Sequence, residues 1–452
     1  MILNPPYMKL KMNENFKVGM ISLGCPKNQV DGEIMLEKLS SSDFTVVQTI
    51  EDADVMIINT CGFIEDAKKE AIENILEVAE YKKAGLVSAI VVTGCLAERY
   101  QEEIIKEIPE VDAVIGIGAN CDIVKTCQKA LLGIKTEIFP DKCYLPLDDK
   151  RMLSTPPHWA YLKLSDGCDN KCSYCAIPLI RGKYRERTMQ SIIDEANLLA
   201  ESGIKELILV AQDTTKYGLE RYGKYKLAEL LKEICKIEKI QWVRLFYCYP
   251  DRVTDELIDV IASEEKVCSY IDIPLQHCNN RILKSMNRNG SYEFLKELLQ
   301  KMKNRIPDLS LRTTFMVGFP GETEEDFEEL CNFVKDIKFD KMGCFAYSPE
   351  EDTPAYSFEN QIDDDVKNRR AEVLMDIQYS ITENANKSRI GNVYKVIIDE
   401  KNDGKYIGRS YLDSPEIDSG IFFTSDDDLN IGDFVQVKIT DFDGYDLIGE
   451  SV

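Results

Sequence analysis

The chain has 452 residues, 44% of them hydrophobic, and carries 79 acidic against 55 basic residues for a formal net charge of −24. That length exceeds one ordinary domain and predicts two to four cores. The acidic balance argues against nucleic acid as the main contact, because phosphates need a basic face, and favours neutral or basic partners. No apolar run approaches the roughly 20 residues of a membrane span. Met1–Lys17 lacks the apolar segment of a signal peptide. Residues 1–15 therefore read as a flexible extension, and the expected location is the cytoplasm. Fifteen cysteines in such a chain point to metal or catalytic roles rather than disulfides.

Residues 16–140 read as a first domain with an open parallel α/β fold. Apolar runs at Val18–Leu23, Val55–Asn59 and Ala89–Thr93 predict buried strands. Asp31–Leu39, Glu65–Tyr81 and Glu98–Ile108 predict amphipathic helices. Such alternation implies a parallel sheet. Each predicted strand ends alike, in Gly24-Cys25, Cys61-Gly62 and Gly94-Cys95. Ligands of open α/β sheets bind outside the carboxyl ends of the strands. Cys25, Cys61 and Cys95 are thus expected to meet at one site and ligate a cluster. The competing reading is three unrelated core cysteines.

Residues 141–157, with Pro146, Pro156 and Pro157, predict a linker. A second α/β region follows over residues 158–388. Six apolar runs recur, at Ala160–Leu164, Glu206–Ala211, Trp242–Tyr249, Tyr270–Leu275, Leu311–Val317 and Met342–Tyr347. Helical patterns separate them, and repeated βα units predict a barrel or partial barrel. After the first run come Cys168, Cys172 and Cys175, spaced C-x3-C-x2-C with Tyr174 before the last thiol. Structural zinc wants four ligands. A 4Fe–4S cluster on three cysteines leaves one iron open to a small molecule. The spacing also differs from the paired C-x2-C patterns of zinc knuckles.

Other motifs sit at predicted strand ends. Gly318-Phe319-Pro320-Gly321-Glu322-Thr323 closes the fifth run, where glycines permit close backbone approach to a ligand; a turn capped by Thr323 is the plainer alternative. Gln212 and Gln276 close the second and fourth runs, as ligand contacts or as strand caps. Arg181, Arg185 and Arg187 form a basic cluster shortly after the cysteine run. Guanidinium groups suit carboxylates, so the three are candidate substrate contacts; a solvated surface turn is the alternative. His158 and His277 are the only histidines, and neither has the partners of a nucleophilic triad.

Residues 389–452 change character. Short alternating runs at Val393–Ile398, Tyr406–Ser410, Gly420–Thr424, Phe434–Ile439 and Tyr445–Gly449 predict a small antiparallel barrel. From Gly391 the tail holds 14 acidic and 5 basic residues, a net of −9.

The C-x3-C-x2-C run resembles the signature of the radical S-adenosylmethionine (SAM) superfamily, and six βα units resemble its open (β/α)6 barrel. With three further strand-end cysteines and a small β-barrel tail, the chain resembles the methylthiotransferase family from about Val18 to Val452. The resemblance implies two 4Fe–4S clusters, one on Cys168, Cys172 and Cys175 and an auxiliary one on Cys25, Cys61 and Cys95. It implies SAM contacts at Tyr174, Gln212, Gln276, Gly318, Gly321 and Glu322, and a TRAM-like fold for the acidic tail. By the same resemblance, one SAM is expected to methylate sulfide carried by the auxiliary cluster, and a second to yield the radical that takes hydrogen from the substrate. Gly24-Cys25-Pro26-Lys27-Asn28-Gln29 and Asn59-Thr60-Cys61-Gly62-Phe63-Ile64 resemble the branch that modifies an aspartate β-carbon of small-subunit ribosomal protein number twelve. An acidic tail suits that basic partner better than RNA. The rival branch modifies adenosine in transfer RNA. A rival of another class is a non-enzymatic iron–sulfur scaffold or electron carrier. The expected partners are the ribosomal protein, an electron donor and a sulfur source, with no membrane.

Overall fold

The computed structural model describes residues 15–402 and 404–452; of the extension expected over residues 1–15, residues 1–14 lie outside the described residues. Two compact units emerge. The first runs to Ser154 and includes Asp166–Asp169 and Ala176–Arg185. The second comprises Thr155–Ser165, Asn170–Cys175 and Glu186–Val452. The cysteine run is therefore shared, with Cys168 in the first unit and Cys172 and Cys175 in the second.

The first unit is built on β1 (Phe16–Ser22), β2 (Phe44–Val46), β3 (Val55–Thr60), β4 (Ala89–Gly94), β5 (Ala113–Ile115) and β6 (Thr136–Ile138). They form one parallel sheet in the order β2-β1-β3-β4-β5-β6. β3 and β4 are buried at every position, as parallel strands covered on both faces must be. One layer of core packs Ile75, Val78, Ile90 and Val92 together. The other packs Met35, Leu39, Val55 and Val91. The three-residue strands β2, β5 and β6 were not expected. The predicted helix over Glu98–Ile108 is instead two, Cys95–Tyr100 and Glu102–Glu107. Gln101 between them has φ 40°, which interrupts the helical hydrogen-bond ladder.

The second unit opens with β7 (Trp159–Lys163), and two dipeptide strands, β8 (Ser165–Asp166) and β9 (Arg185–Glu186), bracket the cysteine run in sequence. Then come β10 (Glu206–Val210), β11 (Trp242–Leu245), β12 (Val267–Asp272), β13 (Ser310–Val317) and β14 (Lys341–Ala346). The main sheet is parallel, in the order β14-β13-β12-β11-β10-β7. Strict sequence order across six strands is the partial (β/α)6 barrel expected. Side chains cap the intervening helices: Thr188, Thr254 and Ser291 each accept a backbone N–H, and Thr323 forms a capping box with Asp326.

The helix Asp364–Arg389 leads into the tail. There β15 (Val393–Asn402), β16 (Lys405–Arg409), β17 (Ile421–Thr424), β18 (Phe434–Asp443) and β19 (Asp446–Ser451) close into a barrel in the order β15-β16-β17-β19-β18. Val396, Ile398, Tyr406, Phe423 and Val437 fill it. The connection from β16 to β17 lies against the parallel sheet. Lys341 pairs with Asp413 at 2.6 Å, and the Tyr161 and Tyr270 hydroxyls donate to Glu416 and Asp418, both at 2.7 Å. Arg409 bridges Glu206 and Asp399, each at 2.8 Å. Several tail acids thus serve the barrel itself, and the net charge of the tail overstates its free acidic surface.

Candidate active site

In the first unit the order of the sheet reverses between β1 and β3, which places a crevice at their carboxyl ends. Cys25 precedes the helix Pro26–Ser40, whose start is set by Pro26 in the first turn. Cys61 follows β3, and Cys95 opens the helix after β4. Gly24 has φ 93°, and a Cβ there would lie 2.7 Å from Cys61 Cβ and 2.9 Å from its Sγ. Only glycine lets these two loops approach so closely. Asn28 ties them further, its Nδ2 donating to the carbonyls of Leu23 (2.8 Å), Asn59 and Thr60 (both 3.3 Å).

The electrostatics of the three thiols differ. Burial and the charges of Cys95 and Cys25 push Cys61 up to about 12. Burial raises Cys95 too. Burial acts the same way on Cys25, but Lys27, Arg181 and the Asn28 and Lys27 N–H groups outweigh it, so Cys25 falls below the ordinary thiol range. Cys61 and Cys95 each feel another thiol's charge, yet the side chains do not converge fully: among the described residues no three His, Cys, Asp or Glu groups are poised to hold a metal ion. Three soft sulfur donors beside a buried cation nonetheless suit an iron–sulfur group and not a hard cation.

That cation is Arg181. It is 1% exposed and donates to Asp31 at 2.6 Å, Asp166 at 2.8 Å and Asn28 at 3.2 Å, with Cys95 Sγ 3.7 Å away. Arg185 is partly exposed and donates to the Cys143 and Leu145 carbonyls, while its buried Nη2 has no hydrogen-bond partner. Arg187 is buried and pairs with Glu195 while donating to the Lys163 and Ser191 carbonyls. Cys168 N–H donates to the Gly182 carbonyl at 3.1 Å.

In the second unit, Cys172 packs with Tyr174, Tyr249, Ile282, Phe319 and Tyr347. Ser173 N–H donates to Met286 O at 3.0 Å, Ala355 N–H donates to Ser173 O at 2.8 Å, and Cys175 N–H donates to Cys172 O at 3.1 Å. Asn170 is held by Asp213 (3.2 Å) and Arg252 (2.7 Å), which pair with each other. Tyr249, Asn170, Asp213 and Arg252 were not singled out in the sequence; their roles arise from contacts across the fold.

The other candidates lie past the strand ends. Gln212 is half-buried just after β10. Gln276 has φ 71° and bridges β13 through hydrogen bonds with Thr314 and Met316, both 2.8 Å. Gly318 has φ 72°, and a Cβ there would stand 2.2 Å from Lys367 Cγ. Glu322 turns inward: it accepts from Gly318 N–H at 2.9 Å, Phe319 N–H at 3.4 Å and Arg370 at 2.8 Å. Burial raises its pKa. His277, neutralised by burial to about 3, accepts from Asn279 N–H through Nδ1 and points Nε2 at Glu322 from 3.7 Å. Gly321, φ 81°, completes the turn.

Three family models match in succession. An uncharacterized protein family, UPF0004, covers residues 17–116. The radical SAM superfamily covers 162–334, and the TRAM domain covers 390–452. The chain also resembles a solved radical SAM methyltransferase, TsrM from Kitasatospora setae, determined with cobalamin and a [4Fe–4S] cluster bound. That likeness has a TM-score of 0.56 at 14% identity, covers 76% of this chain and 77% of the other, and speaks to the fold alone. Curated relatives carry the name ribosomal protein uS12 methylthiotransferase RimO. The protein from Clostridioides difficile is 48% identical over 96% of this chain and 98% of its own. That from Caldanaerobacter subterraneus subsp. tengcongensis is 51% identical over 96% and 99%. Identity near one half over 96% of the chain, a span that takes in all three matched segments, means that the chain belongs to the RimO family of methylthiotransferases.

Proposed function

We propose that this chain is a radical SAM methylthiotransferase that places a CH3S group on the β-carbon of an aspartate in ribosomal protein uS12. The observation that carries this reading is the near-half identity to proteins of that name over 96% of the chain. The chain works with SAM and 4Fe–4S clusters. Bound to the protein, these supply the radical chemistry that breaks an unactivated C–H bond and the sulfur that replaces the hydrogen. Cys168, Cys172 and Cys175 hold the cluster that meets SAM; Cys25, Cys61 and Cys95 hold the auxiliary one. Tyr174, Gln212, Gln276 and Gly321 face SAM. Glu322 holds the backbone of Gly318 and Phe319 in place for it. Arg181 sets the charge around the auxiliary thiols, and Arg187 braces the loop behind them in sequence. Arg185 is the arginine suited to a substrate carboxylate. A one-electron donor and a sulfur source complete the partners. No helix among the described residues is long and apolar enough to cross a membrane, and a ribosomal substrate suits the cytoplasm.

The test is anaerobic reconstitution with SAM, dithionite, sulfide and a peptide carrying the target loop of uS12. A peptide mass raised by the exchange of H for SCH3 is expected. Formation of 5′-deoxyadenosine without modified peptide, and methylthioadenosine in added tRNA instead, would overturn the substrate.

A further inference from the structure

Both cysteine sets have an arginine at a sulfur, but the two arginines differ in charge environment. Arg181, 3.7 Å from Cys95 Sγ, is neutralised by Asp31 and Asp166. Arg288 has its Nη1 3.9 Å from Cys172 Sγ. No carboxylate pairs with it among the described residues. Its Nη1 also donates to the Tyr174 hydroxyl at 3.2 Å, and its Nη2 donates to the Pro274 carbonyl at 2.6 Å. Its guanidinium carbon lies 4.3 Å from the centroid of the Tyr249 ring. The hydroxyl of that same Tyr249 stands 3.3 Å from Cys172 Sγ.

We propose that Arg288 and Tyr249 form an electropositive cap on the Cys172 sulfur that makes the group held there easier to reduce. This rests on the reading of Cys172 as a cluster ligand. Guanidinium stays charged at any working pH. One-electron reduction of a cluster adds negative charge that spreads onto its sulfurs. A fixed cation and a hydroxyl donor at one sulfur stabilise the reduced form more than the oxidised form. Because no carboxylate among the described residues pairs with Arg288, its charge at the sulfur is not offset as that of Arg181 is. Pro274, just past β12, anchors the guanidinium from the barrel, and Tyr174 holds it from the cysteine loop. Arg288 is a positioning residue: it acts through Cys172, not on the substrate.

The experiment uses anaerobically reconstituted full-length protein with dithionite and mediators as the electron source. Electron paramagnetic resonance follows the cluster whose signal changes on adding SAM. In Arg288→Gln, the reduced-to-oxidised ratio of that cluster at a fixed potential should fall about tenfold, about 59 mV for a one-electron couple. Arg288→Lys, which keeps the charge, should recover most of it. Tyr249→Phe should shift the ratio the same way by less. The second cluster, monitored in the same samples, should not move. An unchanged ratio in Arg288→Gln overturns the proposal, as does an equal fall in Arg288→Lys, which would make shape and not charge the cause. If Arg288→Gln cannot hold iron, Tyr249→Phe decides, and an unchanged or raised ratio there overturns the cap. A wild-type protein with no SAM-responsive cluster would defeat the ligand reading itself.

Discussion

Replacing Arg181 by glutamine would remove the guanidinium that two buried carboxylates share. Asp31 is 2% exposed and Asp166 is 0% exposed, and both lie within 2.8 Å of the guanidinium. Neither can recover hydration without opening the unit. Breaking one buried pair by deleting one partner costs about 3–5 kcal/mol, because the other charge is left uncompensated. Arg181 serves both carboxylates, while Asp166 also accepts from Gly167 N–H at 2.7 Å, so the whole of that range is expected. For a unit of this size each kcal/mol lowers Tm by about 2–4 °C, so a fall of at least about 6 °C is expected for the first unit. Anaerobic thermal unfolding of the cluster-free protein, with a fluorescent label in the first unit, measures it. The triple variant Arg181→Gln, Asp31→Asn, Asp166→Asn should regain much of the loss, since the three charges are then removed together. A fall below about 2 °C in the single variant, or no recovery in the triple, would refute the reasoning that this network is dry and mutually dependent.

Three further outcomes follow from the same geometry. Cys172→Ala should abolish SAM cleavage, whereas Cys61→Ala should abolish methylthio transfer and spare part of the 5′-deoxyadenosine formation; chromatography of both products checks it, and full transfer by Cys61→Ala would remove the auxiliary assignment. His277 should make the fold acid-sensitive. The unfolded imidazole binds a proton below about 6.5, while burial holds the folded one at about 3. Stability is therefore full above the unfolded value and is lost as pH falls, by about 2 kcal/mol between pH 7 and pH 5; denaturant midpoints of His277→Gln across that window should lack this slope. Glu206, fully buried between Arg244 and Arg409 at 2.8 Å each, secures the tail to the barrel. Glu206→Gln should cost about 3–5 kcal/mol and speed proteolytic release of residues 390–452, read by mass spectrometry.

Local features of the sequence were enough for the parts of the fold that repeat. The strands carrying Cys25, Cys61 and Cys95 show themselves as apolar runs ending in Gly and Cys, and six βα units announce a partial barrel. Those signals lie within a few residues of one another, where hydrophobic period and turn chemistry act. The edge strands β2, β5 and β6 span three residues each, too few to show a period. The break at Gln101 is a backbone choice that a continuous helical pattern conceals.

The charge networks were decided only in three dimensions. Arg181, Arg185 and Arg187 read as one basic turn, because Asp31 stands 150 positions from Arg181 in sequence. Arg288 is 116 positions from Cys172 and belongs to no motif. The acids of the tail read as free surface until Lys341, Tyr161 and Tyr270 are seen to engage Asp413, Glu416 and Asp418. Sequence by itself determined which elements form and which thiols end them, since those depend on neighbours along the chain. Tertiary structure decided which charges are buried and what compensates them, since desolvation and Coulomb energy depend on distance through space and carry no period in sequence.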